Sequence, residues 1–371
     1  MEFVQEAVTT LHDLGNPDPT VDLAEVGVVV PVGGEDAIRD SVRRTLRIVA
    51  DHDPGSLVIP VRGDRTAVGR IRSILEDHPV PATVLWCNAP GTQELLRSYS
   101  VPATGSKGLD VWLGLVLATQ ENDIVAVHDA DVTSYSLHQL PRLVWPITRG
   151  HSFAKAYYAR VEDERLYGRL SRLFLTPLLT ALAAEHDAPI LEYLQAFRYP
   201  LAGEFACRSN VVRSLRIPRG FGLEIGVLGE TYRIAGPREA AQVDLGWHRH
   251  DHRPVTGPDG LVPMARAVGG TLDAVLREND VHVDIQGVRD AYRRQAERYL
   301  EQYAADAAFN GLRYEVGHER SQSNRYANAL DEVIEPTWLP PIEEVEIAVD
   351  ELRTAGVVGD PQRLDARGEA D

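Results

Sequence analysis

Lysine is nearly missing from this chain: only Lys107 and Lys155 stand among 38 basic residues, and arginine supplies the rest. Cysteine is as scarce, with Cys87 and Cys207 alone. That excludes a disulfide framework or a cysteine zinc site and implies a reducing cytoplasm. No run of 18 or more apolar residues occurs, so no transmembrane helix is expected. The opening MEFVQEAVTTLHDLG is acidic and lacks the basic region and apolar run of a signal peptide. The net charge of −17 disfavours nucleic acid or an anionic membrane as the main partner. What is present, 44% hydrophobic and 25% charged residues over 371 positions, is the composition of a globular protein with a full core. Many carboxylates with few lysines suit a salt-rich cytoplasm, and a G+C-rich genome would leave the same mark. In either case a lysine that survives the bias is a candidate for function.

From Val26 to Val127 strands and helices alternate. Strands are expected at Val26 to Val30, Ser56 to Val61, Ala82 to Cys87 and Ile124 to Val127, each short, apolar and followed by a turn. Amphipathic helices start near Asp36 and in TAVGRIRSILEDH, and an apolar helix follows Gly105-Ser106-Lys107-Gly108. This alternation implies a mostly parallel α/β sheet. Residues 1–24 read as a helical lead-in. Beyond Asp131, a strand is expected at Phe153 to Val161 and a long helical segment from Tyr167 to His186, kinked or divided at Pro177. Residues 272–310 read as helical with a stripe of Tyr292, Ala296, Tyr299, Tyr303 and Ala307. Another helix is expected from Ile342 to Leu352.

The chemistry centres on DIVAVHDADVTSY, Asp123 to Tyr135. Asp129 and Asp131 follow a buried strand at the end where open α/β sheets present ligands. Two carboxylates there are hard oxygen ligands for Mg²⁺ or Mn²⁺, which would neutralise a diphosphate. An acidic turn after a strand is the plainer alternative. Lys107, between flexible glycines at a helix start, is placed to approach that diphosphate. Strands alternating with helices and ending in Asp-x-Asp form the layout of a GT-A glycosyltransferase, whose first half binds a nucleotide sugar.

Six motifs in order, GSKG, HDAD, YGRLSRLFLTPLL, AGEFACRS, GFGLEIGVL and QVDLGWHRHDHRPV, make the chain resemble the glucosyl-3-phosphoglycerate synthases from about Val26 to Val255. The resemblance implies a retaining GT-A enzyme, cytoplasmic, Mg²⁺-dependent and homodimeric, that moves a hexose to 3-phosphoglycerate for a compatible solute. It implies a GT-A catalytic domain over 25–265, with 1–24 as lead-in, 266–358 as a helical C-terminal extension and 359–371 as a disordered tail. By the same resemblance Pro31, Val32, Glu35, Lys107, Asp129 and Ala130 contact the nucleotide sugar. Gly168, Arg169 and Ser171 hold the acceptor phosphate, joined by His248 and His252. Asp131, His250 and Asp129 hold the metal. Asp131, Glu224 and Lys107 carry the reaction, with Glu224 positioning the acceptor hydroxyl.

Two departures stand out. The second strand ends Ile59-Pro60-Val61-Arg62-Gly63-Asp64, without the expected base-reading aspartate at its end. Base recognition then falls to backbone groups or to a neighbour such as Asp64, and UDP, GDP and ADP sugars all stay open as donors, UDP-glucose and GDP-glucose foremost. His248 and His252 also stand where the family often has arginine and asparagine. The rival readings are a mannosyl-3-phosphoglycerate synthase, a GT-A enzyme with another acceptor, and a non-catalytic sugar-nucleotide-binding homologue.

Overall fold

The computed structural model describes residues 5–15, 18–76, 82–249, 261–285, 287–345 and 347–358. Its strands, in chain order, are β1 (Thr9–Leu11), β2 (Val26–Val29), β3 (Val32–Gly33), β4 (Ser56–Arg62), β5 (Ala82–Trp86), β6 (Ile124–Val127), β7 (Phe153–Glu162), β8 (Arg165–Leu166), β9 (Phe205–Arg208), β10 (Ile217–Pro218), β11 (Ala240–His248) and β12 (Trp338–Leu339). The chain divides into two compact units. One is drawn from residues 1–16, 155–202 and 218–338, the other from 17–154, 203–217 and 339–371.

The unit containing β2 is a mostly parallel sheet, as the alternation implies. β2 pairs in parallel with β4 and β6, so Val29 lies between Val58 and Val127. β3 and β5 pair in parallel with β4, and β9 runs antiparallel to β6 with Phe205 opposite Val127. All of β2 is buried, which is why it reads as an unbroken apolar run rather than an alternating one. The helix Lys107–Ala118 is buried from Gly108 onwards, as its all-round apolar surface requires. Gly114 permits its close approach, because a Cβ there would overlap Val29 and Pro60.

The other unit corrects the reading of the N-terminus. Thr9–Leu11 is a strand, not a helix, and lies parallel to β11 with Thr10 beside Gln242. Gln242 Nε2 donates to Thr10 Oγ1 at 2.9 Å and to the Ala196 carbonyl at 2.6 Å. β-Branched threonines suit such a pairing, but the partner is 232 residues away, beyond any local pattern. β7 and β8 form a hairpin whose turn residues Asp163 and Glu164 both have positive φ, the form that matches strand twist.

Three helical expectations also change. The span 272–310 is two helices, Val262–Glu278 and Arg289–Phe309. Asp280, at φ 58°, closes the first. Its N–H donates to Arg277 and that of Val281 to Leu276, the two bonds of a Schellman cap. Tyr292, Ala296 and Ala307 of the stripe are buried, while Tyr299 and Tyr303 are half-buried. The expected helix from Ile342 to Leu352 is two pieces, Ile342–Val345 and Val349–Gly356, with Ala348 extended before the second. The segment at 167–186 is a π-helical turn, Ser171–Leu175, followed by an α-helix, Thr176–Ala183. Pro177 sits in the first turn of that α-helix, where its missing N–H is not needed. The tail at 359–371, expected to be disordered, lies outside the described residues.

Candidate functional site

Asp129 and Asp131 follow β6 directly, where the sheet ends. Lys107 Nζ donates to Asp129 Oδ1 at 2.6 Å. On the other side a Cβ at Gly203 would overlap the same carboxylate, so only glycine fits there. The side chains of Lys107 and Asp129 stay 33% and 16% exposed, so the pair remains within reach of a ligand. Asp131 is half-buried two residues on. Lys107 opens its helix with Ser106 as N-cap, and the positive end of a helix dipole favours an anion. Two carboxylates on one turn, one of them fixed in direction, are a donor set that fits Mg²⁺ or Mn²⁺. Among the described residues no group of three or more His, Cys, Asp or Glu could hold a metal. His250, the expected third ligand, lies outside the described residues, as does His252.

What fixes this helix start escaped the sequence reading. Arg62, at the end of β4, donates Nε to Asp110 Oδ2 at 2.9 Å and a second nitrogen to Oδ1, a bidentate pair. Its guanidinium fills the space that a side chain at Gly105 would need. Burial pushes the Asp110 carboxyl above its ordinary value, against the pull of Arg62. The only sequence signal was an acid three residues past Lys107.

The strand ends nearby are also occupied. Val32 is buried and pairs with Val61, so it offers a ligand its backbone alone. Pro31 is half-buried, Glu35 is exposed before the short helix Asp36–Ile38, and Ala130 is buried. Asp64 Oδ1 accepts the Ala67 N–H at 2.8 Å and so caps a helix. The Gly63 N–H donates to Asn88 Oδ1 at 3.0 Å, and its carbonyl accepts from Trp86 Nε1 at 2.9 Å. The loop that lacks a base-reading aspartate is thus held by its own side chains.

In the other unit Gly168 has φ +72°, and a Cβ there would press on the Tyr199 hydroxyl. Glycine is required on both counts. Ser171 starts the π-helical turn and is buried, and such turns often mark functional sites. Arg169 is half-buried, and no hydrogen bond or ion pair holds its guanidinium among the described residues. Arg172 does the opposite work. It donates to both oxygens of Glu319 at 2.9 and 3.1 Å and to the carbonyls of Tyr167 and Leu166 at 2.8 and 3.2 Å. It also lies over the Tyr303 ring at 4.6 Å. Arg172 therefore anchors the helix start that carries Arg169 to the end of the β7–β8 hairpin.

Both side chains of the Arg172–Glu319 pair are about nine-tenths buried, so Glu319→Gln leaves a buried guanidinium without its counter-charge. The expected loss of unfolding free energy is about 3 kcal/mol, read as a lower urea midpoint with unchanged slope. A midpoint equal to that of the parent would remove this anchor from the account.

His248 ends β11, buried, with its ring stacked on Tyr158 at 3.9 Å and 8°. Tyr158 packs on Tyr199 at 4.8 Å, so His248 and Gly168 border one run of three rings. Glu224 lies in the first turn of the helix Leu223–Ile234, half-buried. The preceding Gly222 is pressed against Thr271. Lys155 is wholly buried and donates to the Ala202 carbonyl at 2.7 Å, a structural pairing. No helix among the described residues is long and apolar enough to cross a membrane.

No family model matches the chain. A glucosyl-3-phosphoglycerate synthase of Methanococcoides burtonii is 30% identical over 375 residues, 91% of this chain and 93% of that one. Another, of Persephonella marina, is 32% identical over 278 residues, 70% of this chain and 68% of that one. Among solved structures, glucosyl-3-phosphoglycerate synthase of Mycobacterium tuberculosis in complex with Mn²⁺, UDP-glucose and phosphoglyceric acid matches with a TM-score of 0.56 at 27% identity, over 73% of this chain and 88% of that one. The same enzyme in complex with Mg²⁺ and UDP matches with a TM-score of 0.56 at 27% identity, over 75% and 88%.

Proposed function

The chain belongs to the glucosyl-3-phosphoglycerate synthase family, and from that premise we propose that it transfers glucose from UDP-glucose to 3-phosphoglycerate with retention at the anomeric carbon. It is a metal-dependent glycosyltransferase of the GT-A fold. The observation that carries the reading is the Lys107–Asp129 pair, wedged against Gly203 beside Asp131 at the end of a central parallel strand. An acidic turn without function would not need a glycine reserved for one carboxylate.

Asp131 and Asp129, with His250, hold the divalent ion, which when bound neutralises the charge that develops on the departing UDP. Lys107 and the positive end of its helix add fixed positive potential toward the same diphosphate, already oriented before the reaction begins. Pro31, Val32 and Glu35 take the base and ribose. Gly168, Arg169 and Ser171 take the acceptor phosphate. Glu224 orients the attacking hydroxyl, and His248 and His252 complete the acceptor contacts. UDP is chosen over GDP because relatives of this chain bind UDP and UDP-glucose. The resemblance also assigns a cytoplasmic homodimer.

The test is a donor panel of UDP-, GDP- and ADP-glucose with 3-phosphoglycerate and Mg²⁺. UDP-glucose should lead in kcat/KM by about tenfold or more. A lead for GDP-glucose would overturn the nucleotide. No transfer to 3-phosphoglycerate from any donor would overturn the function.

A further inference from the structure

Lys107 stands beside a second carboxylate that takes no part in the transfer. Asp110 lies three residues further along the same helix, and side chains three apart on a helix are neighbours. Asp110 is buried, and a buried carboxylate needs a counter-charge. The ammonium of a lysine is a point charge on a flexible stem, free to turn to whichever carboxylate is unpaired. Left alone, Asp110 would compete with Asp129 for Lys107. A Lys107 turned to Asp110 would no longer face the strand end where the two aspartates stand.

Arg62 removes that competitor. From the end of β4 it donates Nε to Asp110 Oδ2 at 2.9 Å and a second nitrogen to Oδ1, so both oxygens are engaged. A planar fork matches a carboxylate in a way that one ammonium cannot. Lys107 accordingly pairs with Asp129. The Arg62 guanidinium also lies against Gly105, where a Cβ would overlap it. The helix start is therefore held on both sides of Lys107, two residues before it and three residues after it.

The backbone of Arg62 holds a second segment of the proposed donor site. Its carbonyl accepts from the Gly34 N–H at 2.7 Å, and Arg62 pairs with Gly33 across β3 and β4. Gly34 and Gly63 pack so closely that a Cβ at Gly34 would overlap the Gly63 Cα. One residue thus ties the Pro31 to Glu35 segment, through its backbone, to the start of the Lys107 helix, through its side chain. All of these residues belong to one compact unit.

We propose that Arg62 is a positioning residue for the nucleotide sugar: by occupying Asp110 it keeps Lys107 aimed at Asp129 and at the incoming diphosphate. The proposal rests on the reading of Lys107 as a contact of that diphosphate.

The experiment measures UDP binding by titration calorimetry with Mg²⁺ present. It compares the full chain with Arg62→Gln, the double variant Arg62→Gln/Asp110→Asn, and Lys107→Ala. In Arg62→Gln the affinity for UDP should fall about tenfold or more, the fold-change that loss of one charge-assisted hydrogen bond gives. The KM for UDP-glucose should rise with it, while the KM for 3-phosphoglycerate is unchanged. The double variant has no carboxylate at position 110 to draw Lys107 away, so it should recover most of the loss. If Arg62→Gln does not fold, Arg62→Lys carries the measurement, with a smaller loss in the same direction. A merely structural Arg62 would lower the melting midpoint and leave UDP affinity at the parent value. That outcome, or a double variant as weak as Arg62→Gln, overturns this proposal alone when Lys107→Ala has lost affinity. Parent-like UDP affinity in Lys107→Ala overturns the reading of Lys107 beneath it.

Discussion

Asp131→Ala should abolish glucosyl transfer, lowering kcat by about a thousandfold or more, while the protein stays folded. The two halves of that expectation have separate grounds. Asp131 is half-buried on a turn after β6 rather than inside the sheet, so its carboxylate contributes little to packing. On the proposed function it is one of two oxygen donors to the ion, and the other is already committed on one oxygen to Lys107. An ion that is not held cannot neutralise the diphosphate, a contribution of several kcal/mol to the transition state. A loss of about 4 kcal/mol is a factor of about a thousand in rate. The check is turnover with saturating substrates and a Mg²⁺ titration, beside a melting curve. Parent-like turnover in this variant, or turnover indifferent to EDTA, would sink the metal assignment.

Arg169→Ala should separate the two substrates. Arg172 is bound on every side by Glu319, Tyr167, Leu166 and Tyr303, whereas Arg169 has no hydrogen bond or ion pair among the described residues. On the proposed function this half-buried guanidinium meets the acceptor phosphate, which accepts its fork in bidentate fashion. A charge-assisted hydrogen bond contributes about 1.5–3 kcal/mol. The KM for 3-phosphoglycerate should therefore rise roughly 10- to 150-fold, with the KM for UDP-glucose unchanged. Equal effects on both substrates would assign Arg169 a structural part instead. Arg169→Lys should recover only part of the loss, since an ammonium keeps the charge but not the planar fork.

The chain's own sequence determined the parallel sheet and the strand end that carries Asp129 and Asp131. Each apolar run from Val26 to Val127 is short, contiguous and followed by a turn, so its strand is legible from a few neighbours. The scarcity of lysine singled out Lys107 before its partner was known. The resemblance named Arg169 and Ser171 together with Gly168, a glycine that proves to have positive φ. Tertiary structure alone decided the rest. Thr9–Leu11 is a strand because β11 lies beside it, and no helix or strand preference in three residues outweighs that pairing. The lock of Gly203 on Asp129, the hold of Arg62 on Asp110, the grip of Arg172 on Glu319 and the stack of His248 on Tyr158 all join residues far apart in the chain. Periodicity registers only neighbours within a turn of helix or a step of strand. Which distant side chains meet is settled by sheet register and by the packing of whole elements, and it is those meetings that orient the groups the sequence had named.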